Sequence, residues 1–387
     1  MNQIYFDNGA TAFPKAPGVA EAMAHYILNV GASVNRSSYE KSQDVAMVVL
    51  GVREKLCQLF NFPHADHVIL TSGHTAGLNQ LLFGLLSPGD RILTTSMEHN
   101  AVARPLHQLE KQGVTYTKMP CDEYGYVNLK LMESCIQPNT KAMIVNHGSN
   151  VSGAIQDLES LGKICKKRGI FLLVDGAQTA GHCPIDMKKY HISALSVPTH
   201  KGLLSAPGIG VLLLEKDLAK AINPAVFGGT GSISHSLEMP DYMPDKFEPG
   251  TPNLPGLYGL DAALDFLGEI GLESIQAHHH ALTSLFVENV EKISHLQILG
   301  NFEKPHISVV SLNFLDQDNG EVADRLDQEF GILTRCGLHC APWAHQTLGT
   351  FPAGSVRFSF GLFNTEEEIL QAVDAVRKIC GQIDYVN

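Results

Sequence analysis

A lysine and an aspartate near the middle of the chain have the chemistry for binding an aldehyde cofactor. Lys201 follows the strand-like run ALSVP and precedes a glycine-rich stretch. A lysine close to apolar walls can have a lowered pKa and form a Schiff base. Asp175 ends the apolar run GIFLLVD, where a buried carboxylate needs a partner such as a protonated pyridine nitrogen. The plain alternatives are a solvated lysine and an aspartate that caps the next turn.

A cysteine near the carboxyl-terminal end is the second chemical feature. Cys340 follows His339 in the glycine-bearing segment RCGLHCAPWAHQTLG. A thiol on a mobile loop beside a histidine can be a reactive thiolate. The alternatives are a buried inert thiol and a zinc site made by Cys336, Cys340 and His345. The usual zinc spacing is not matched and a fourth ligand is missing, so we expect no metal.

Three further segments place polar residues directly after apolar runs. His99 follows the run RILTTS and can stack on a flat ring or move protons. In TSGHTAGLN, small residues precede a helical pattern, so the free N–H groups of a helix start and the hydroxyls of Ser72 and Thr75 can bind an anion. Arg357 alternates with apolar residues in SVRFSF and can clamp a carboxylate. The alternatives are a structural histidine, an ordinary capped turn and a structural ion pair.

The elements that carry these residues alternate between short apolar runs and amphipathic helical patterns. This order predicts an α/β fold with a mostly parallel sheet, whose ligands bind at the carboxyl ends of the strands. After about Pro255 the pattern changes to two helices, two strands and a closing helix after Asn364-Thr365. We therefore predict a large domain over 15–254 and a smaller α/β domain formed by 1–14 and 255–387. The AHHH segment at 277–280 falls in a helical pattern and is expected to coat a surface.

Composition excludes several classes of protein. The chain has 387 residues, with 28 Lys and Arg against 40 Asp and Glu, and a formal net charge of −12. An acidic chain without basic runs does not favour a nucleic-acid partner. No apolar stretch is long enough to cross a bilayer, and the first residues lack a signal-peptide pattern. The 8 cysteines are scattered, which favours reduced thiols in a cytoplasmic protein.

Several motifs, taken in order, resemble the class V aminotransferase family, and within it SUF-type cysteine desulfurases and selenocysteine lyases. The motifs are MEHNA, SNVSGAIQD, VDGAQTAG, HKGLLSAPGIG, FEPGTPN and GLHCAP, and the resemblance runs from YFDNGAT at 5–11 to FNTEEEI at 363–369. It implies the fold type I of pyridoxal 5′-phosphate (PLP) enzymes, which is aspartate aminotransferase-like. It also implies a two-domain homodimer with its sites at the subunit interface.

The resemblance implies a role for each matching position. Lys201 would hold PLP, Asp175 would pair with its pyridine nitrogen, and Gln178 would contact its phenolic oxygen. Thr251 would reach the phosphate of the neighbouring subunit, and Cys340 would accept sulfur. The implied cofactor contacts are Lys201, Asp175, Gln178, His99, His74, Thr75, His200, Thr199 and Thr251. The implied substrate contacts are Asn150, Arg357, Asn8 and Ala10, and the implied catalytic residues are Lys201, Cys340 and His99.

Three positions depart from the family pattern. Pro198 stands where a small hydroxyl residue usually precedes the lysine, and proline has neither a hydroxyl nor an N–H to donate. We expect the Thr199 hydroxyl to be the substitute there. Gly9 makes the usual DNAAT stretch DNGAT. Cys336 replaces a threonine and is either a sulfur relay or a plain substitution.

The function implied is conversion of L-cysteine to L-alanine, with a persulfide formed on Cys340. The alternatives that keep PLP are a selenocysteine lyase and another class V activity, an aminotransferase or an epimerase. An alternative from another class is a non-catalytic sulfur-relay scaffold. The resemblance also implies a protein acceptor for the sulfur, in iron–sulfur cluster assembly, tRNA thiolation or a selenium pathway.

Overall fold

The computed structural model describes residues 3–34 and 39–381. The strands within these residues are β1 (Ile4–Tyr5), β2 (Val68–Thr71), β3 (Arg91–Thr95), β4 (Thr115–Met119), β5 (Thr140–Asn146), β6 (Phe171–Asp175), β7 (Ala194–Pro198), β8 (Gly210–Leu214), β9 (Leu296–Leu299), β10 (Val309–Phe314), β11 (Ile332–Leu333), β12 (Arg335–Gly337) and β13 (Ser355–Ser359). The α-helices are α1 (Val19–His25), α2 (Glu40–Leu59), α3 (His74–Leu85), α4 (Asn100–Glu110), α5 (Leu129–Cys135), α6 (Leu158–Arg168), α7 (Lys216–Ala221), α8 (Leu254–Ile270), α9 (Leu272–Val290), α10 (Asn319–Phe330), α11 (Pro342–Thr347) and α12 (Glu366–Ile379). A π-helical turn, Tyr26–Val30, continues α1, and a 3-10 turn, Ala65–His67, precedes β2.

The central sheet has the order β2-β8-β7-β6-β5-β3-β4. Its pairs are parallel except for those made by β8, which runs antiparallel to β2 and β7. Helices α4, α5 and α6 connect β3 to β4, β4 to β5 and β5 to β6, whereas β6 and β7 are joined by 176–193, which contains no α-helix. The predicted mostly parallel α/β sheet is confirmed.

Both faces of this sheet are buried. On β5, Met143 and Val145 belong to one apolar cluster, whereas Ala142 and Ile144 belong to another. Side chains alternate between the two faces of a strand, so near-continuous apolar runs are required when helices cover both faces. This explains why these strands appear in the sequence as short apolar runs that end in polar residues.

A smaller antiparallel sheet has the order β12-β13-β10-β9 and packs with α9, α10 and α12 around a core rich in phenylalanine. The amino-terminal segment joins this unit, since β1 pairs with β11 and Phe6 lies in its core. Helix α12 begins with the predicted cap: the Thr365 side chain accepts from the Glu368 N–H, and Glu368 accepts in return from the Thr365 N–H.

The predicted domain boundary at 254/255 stays a prediction. Helix α8 begins at Leu254, and its buried face belongs to the same apolar cluster as α2 of the large unit. Residues 1, 2 and 382–387 of the predicted small domain lie outside the described residues. Across the residues that the structure describes, no helix combines the length and the apolar character that spanning a membrane requires.

The expectation that the AHHH segment coats a surface is wrong for one of its histidines. His279 is buried on α9, in the stripe that also contains Ile275 and Leu282, and its ring stacks on His182 with centroids 4.7 Å apart. A helix turns every third or fourth residue to the same side, so this position faces the core even though its neighbours are partly or fully exposed.

Candidate active site

A cavity of about 560 Å³ opens at the carboxyl ends of the parallel strands. Asn146, Asp175 and Pro198, the last residues of β5, β6 and β7, all line it. The smaller sheet contributes Arg335 and Arg357 to its wall, so the cavity lies between the two units. The predicted site residues that line it are Ala10, His74, Thr75, His99, Asn150, Asp175, Gln178, His200, Lys201 and Arg357.

Asp175 is a buried carboxylate in this cavity, with 1% of its side chain exposed. Its Oδ1 accepts from the Ala177 N–H at 2.9 Å and lies 2.9 Å from Nε2 of His74. Burial alone would raise the pKa of Asp175, but His74 and the Ala177 N–H favour the ionised form and lower it to about 2. Asp175 is therefore negative at neutral pH, the charge that a protonated ring nitrogen needs beside it.

Lys201 follows β7 and lies in the same cavity. Burial lowers the pKa of its amine to about 8, and the positive charge of Arg357 acts in the same direction. An appreciable neutral fraction is therefore present near neutral pH, and the neutral amine is the nucleophile for an aldehyde. The neighbouring His200 is held by Thr11, whose Oγ1 lies 3.1 Å from its Nδ1, and burial lowers the His200 pKa to about 4.

His99 caps the start of α4. Its Nδ1 accepts from the Ala101 N–H at 3.0 Å, and burial lowers its pKa to about 4. The ring is therefore neutral at pH 7, and because Nδ1 is an acceptor, the proton is assigned to Nε2. His99 can present a flat neutral ring or an N–H donor to a ligand, but not a positive charge.

The start of α3 provides the anion-binding end of the cavity. Its N-cap is Gly73, and no side chain caps the first turn, so the N–H groups of that turn remain available beside Ser72 and Thr75. The expectation that Thr199 supplies a hydroxyl here is corrected. The Thr199 Oγ1 lies 3.1 Å from the carbonyl oxygens of both Ala206 and Ile209, and the side chain is not part of the cavity wall.

At another part of the wall, buried polar atoms lack partners in the described structure. They are Nε of Arg357, Oδ1 of Asn150 and Nδ1 of His339. Arg357 is otherwise engaged: Nη2 donates to Asp7 at 2.7 Å and Nη1 donates to the Asn150 carbonyl at 3.3 Å. Buried donors and acceptors are normally satisfied, so these atoms are suited to the carboxylate and amine of a small polar ligand.

Arg335 is a cavity residue that the sequence did not reveal. It is paired in register with Arg357 across the antiparallel β12–β13 pair, so two guanidinium side chains lie on the same face of the sheet. Like charges placed directly opposite one another are unfavourable unless an anion lies nearby. In the sequence, Arg335 is marked only by its place in the short strand RCG. That place shows which face of the sheet the side chain occupies only once the register with β13 is known.

Cys340 is exposed and lies next to the cavity rather than in its wall. Its loop is held by two hydrogen bonds of 2.7 Å: Asn100 N–H donates to the Cys340 carbonyl, and Asn150 Nδ2 donates to the His339 carbonyl. His339 and Cys340 have φ values of 50° and 56°, so they form a tight left-handed turn. The mobility of this loop stays a prediction.

The cation beside the thiol is Arg335, with Nη2 3.9 Å from the Cys340 Sγ. The expectation that His339 activates it is wrong. His339 is buried, its Nε2 contacts Ser355 Oγ at 3.2 Å, and burial lowers its pKa to about 2, so the ring stays neutral. The positive group that the structure places beside the Cys340 thiol is therefore an arginine and not a histidine.

Cys336 is half-buried on β12, and burial raises the pKa of its thiol. It alternates with Arg335 and Gly337, so its side chain lies on the other face of the sheet from the Arg335 guanidinium that approaches Cys340. His345, one of the three residues of the zinc alternative, is buried with Nδ1 2.7 Å from Thr350 Oγ1. Among the residues that the structure describes, no three His, Cys, Asp or Glu side chains form a group that could hold a metal ion.

Comparison with known proteins identifies the family. The sequence model of the aminotransferase class-V family matches residues 4–372. The chain belongs to this family. The resemblance read from its motifs is confirmed.

One curated relative and two solved structures are similar to this chain over most of its length. A “Probable cysteine desulfurase” of Pyrococcus abyssi is 34% identical over 376 residues, which cover 95% of this chain and 91% of the relative. The apo structure of a cysteine desulfurase from Thermococcus onnurineus has a TM-score of 0.91 at 32% identity and covers 98% of this chain and 95% of that one. The cysteine desulfurase CsdA from Escherichia coli has a TM-score of 0.88 at 28% identity, with the same coverage. The predicted fold type I is confirmed.

Two residues that the class-V resemblance implied do not line this cavity. Asn8 is buried, and its Nδ2 donates to the Ser359 carbonyl at 3.0 Å while its Oδ1 accepts from the Phe13 N–H, so it holds the amino-terminal loop rather than facing a substrate. Thr251 lines an adjoining cavity of about 790 Å³ that shares Ser72 and Gly208 with this one, and its role toward a neighbouring subunit stays a prediction. Gln178 does line the site, and its Nε2 donates to the Gly9 carbonyl at 2.9 Å.

Proposed function

We propose that this protein is a PLP-dependent cysteine desulfurase that converts L-cysteine to L-alanine and takes the sulfur onto Cys340. The observation that carries the proposal is one cavity that joins a negative Asp175, a partly neutral Lys201 and unpartnered polar atoms, with an exposed thiol fixed beside it. The names of the relatives support the same reaction.

The residues of the cavity fit PLP at each of its ends. The buried Asp175 carboxylate suits the ring nitrogen, and the uncapped first turn of α3 suits the phosphate. The Lys201 amine, with a pKa of about 8, suits the aldehyde. Bound PLP supplies delocalisation of the electron pair left at the substrate Cα when a proton departs.

The protein's own groups then perform the remaining work. Arg357 donates from its unpartnered Nε to the substrate carboxylate, and Asn150 accepts at its unpartnered Oδ1 from the substrate amine. Lys201 holds the cofactor at rest and, once displaced by the substrate amine, takes the proton from Cα. Asp175 keeps its negative charge throughout.

Cys340 completes the reaction as the sulfur acceptor. Its thiolate attacks the substrate sulfur, so an S–S bond forms on Cys340 as the Cβ–S bond of the substrate breaks. The electron pair of the broken bond stays with the carbon skeleton, which takes up protons and leaves as alanine. One thiol and one cysteine thus become one persulfide and one alanine, with no external oxidant or reductant.

Mass spectrometry after incubation of the holoenzyme with L-cysteine tests this proposal. We expect one added sulfur atom on Cys340 and alanine in solution. Cys340→Ala should keep the visible absorbance of bound PLP and lose alanine release, whereas the matched Cys336→Ala variant should retain both. Wild-type turnover in Cys340→Ala contradicts the assignment. A keto acid product indicates transamination, and absence of PLP absorbance indicates a scaffold.

Two further parts of the proposal concern the surroundings of the enzyme. Exposed apolar side chains at Ile27, Leu28, Val226 and Phe227 suit a homodimer interface, and Val226 also lines the larger cavity that contains Thr251. All 8 cysteines lie in the described residues and are free thiols, which suits a cytoplasmic location. The exposed Cys340 suits delivery of the sulfur to a protein acceptor.

A further inference from the structure

One histidine in the cavity contacts two neighbouring strands and has no step in the reaction described above. His74 is the first residue of α3, and its side chain is 11% exposed. Its Nδ1 lies 2.9 Å from Oγ of Ser196, and its Nε2 lies 2.9 Å from Oδ1 of Asp175. Ser196 and Asp175 are direct register partners on β7 and β6, so a single imidazole reaches both.

The contacts on the two sides of His74 differ in kind. The fully buried Ser196 hydroxyl makes a hydrogen bond with Nδ1 and so holds the ring in place. On the other side, Nε2 lies 2.9 Å from Asp175 Oδ1, but the two groups are not aligned as in a regular hydrogen bond, and Nε2 has no other hydrogen-bond partner. Ser196 therefore orients the imidazole, and the imidazole places its polar Nε2 directly against the carboxylate.

The contacts leave one oxygen of Asp175 for a ligand. The Ala177 N–H and His74 both use Oδ1. Oδ2 takes no part in either contact, and Asp175 lines the cavity. A carboxylate fixed through one oxygen presents the other in a defined direction, which is how outer partners orient the groups that contact a cofactor.

We propose that His74, held by Ser196, is a positioning residue that orients Asp175 and keeps it ionised for the ring nitrogen of PLP. The inference rests on the proposed function, because it concerns the same cofactor. Other titratable groups influence Asp175 as well: Glu98, His99 and Lys201. Glu98 is buried with its pKa raised to about 8, so it is neutral at pH 7 and does not add a competing negative charge.

Binding of PLP to the apoprotein, followed by absorbance, tests the inference without using activity. His74→Leu removes the polar contact with Asp175, His74→Gln retains a polar side chain there, and Ser196→Ala removes only the group that orients the ring. His107→Leu, at an exposed position on α4, is the matched control. We expect His74→Leu to raise the Kd for PLP about tenfold, as for loss of one close polar contact with a charged group.

The pH dependence of the visible band of bound PLP is the second readout. A positive ring promotes loss of the proton from the nitrogen of Lys201 that is joined to the cofactor. When Asp175 is less firmly ionised, this loss requires a higher pH, so the midpoint should rise in His74→Leu. Ser196→Ala should move both readouts in the same direction by less, and His74→Gln should lie between His74→Leu and the wild type.

The outcomes separate this inference from the proposed function. Wild-type protein that binds no PLP overturns the proposed function and this inference with it. Wild-type protein that binds PLP, together with His74 and Ser196 variants whose Kd and midpoint match the His107→Leu control, overturns the positioning role alone. If His74→Leu does not fold, Ser196→Ala and His74→Gln decide by the same two measurements.

Discussion

Gly9 is the position at which one added methyl group should disturb substrate binding. A Cβ there would stand 3.1 Å from Cζ and 3.2 Å from Nη2 of Arg357, and 3.2 Å from Oγ of Ser359. Comfortable contacts between carbon atoms are about 3.5–4.0 Å, so the guanidinium has to withdraw by a few tenths of an ångström. It cannot withdraw freely, because Nη2 is bonded to Asp7 and Nη1 to the Asn150 carbonyl.

The size of the effect follows from how small this displacement is. Overpacking costs about 1–3 kcal/mol, and we expect the low end for Gly9→Ala. A loss of about 1 kcal/mol of carboxylate binding corresponds to roughly a fivefold rise in KM for cysteine, with kcat little changed because the interaction is present before and during the reaction. The free energy of unfolding of the apoprotein should fall by a similar amount.

Alanine production over a range of cysteine concentrations, combined with urea denaturation of the apoprotein, measures both effects. Gly268→Ala is the matched control, because Gly268 lies in α8 and a Cβ there meets no atom within 4 Å. That control should keep KM and gain about 0.5–1 kcal/mol of stability from the lower entropy of the unfolded chain. A Gly9→Ala variant with unchanged KM and unchanged stability would refute the reasoning, including the claim that Arg357 is held rigidly.

Three other predictions concern a helix cap and two buried titratable groups. Thr365→Ala should lower the free energy of unfolding by about 1 kcal/mol in urea, with PLP absorbance unchanged, because half of the α12 capping box is lost. The rate of PLP rebinding should rise with pH and level off above about 8, where the Lys201 amine becomes neutral; a flat profile contradicts this. Burial holds the pKa of His279 well below 6.5, so the unfolded chain binds a proton that the folded chain does not, and stability should fall as pH drops below about 6.5. His279→Leu should reduce this loss of stability at low pH. If the urea midpoint of the variant depends on pH as in the wild type, the prediction is wrong.

The parts of the site that were predictable come from local pattern. Asp175, His99 and Lys201 stand out because each directly follows an apolar run, and parallel strands bring their carboxyl ends to one edge of the sheet. The cap at Thr365 was predictable for a similar reason, since a capping box needs only four consecutive residues. These features depend on neighbours in sequence, which is why composition and period reveal them.

The parts that were missed depend on contacts between distant segments. Arg335 became a site residue only through its register with Arg357 on another strand. The sequence does not show which partner the Thr199 hydroxyl takes. In the structure it contacts the carbonyls of Ala206 and Ile209, in the loop that follows, and not the cavity. His339 was expected to act on the neighbouring thiol, but the fold buries it and brings an arginine there instead.

The sequence by itself therefore determined the family, the mostly parallel sheet, and the identities of a lysine, an aspartate and a cysteine with matching chemistry. Tertiary structure decided their state: which groups are charged, which oxygen of Asp175 is engaged, and which cation stands beside Cys340. The reason is physical. Residue type and period are local properties of the chain, whereas pKa, hydrogen-bond direction and charge pairing depend on desolvation and on atoms that folding brings together from remote positions.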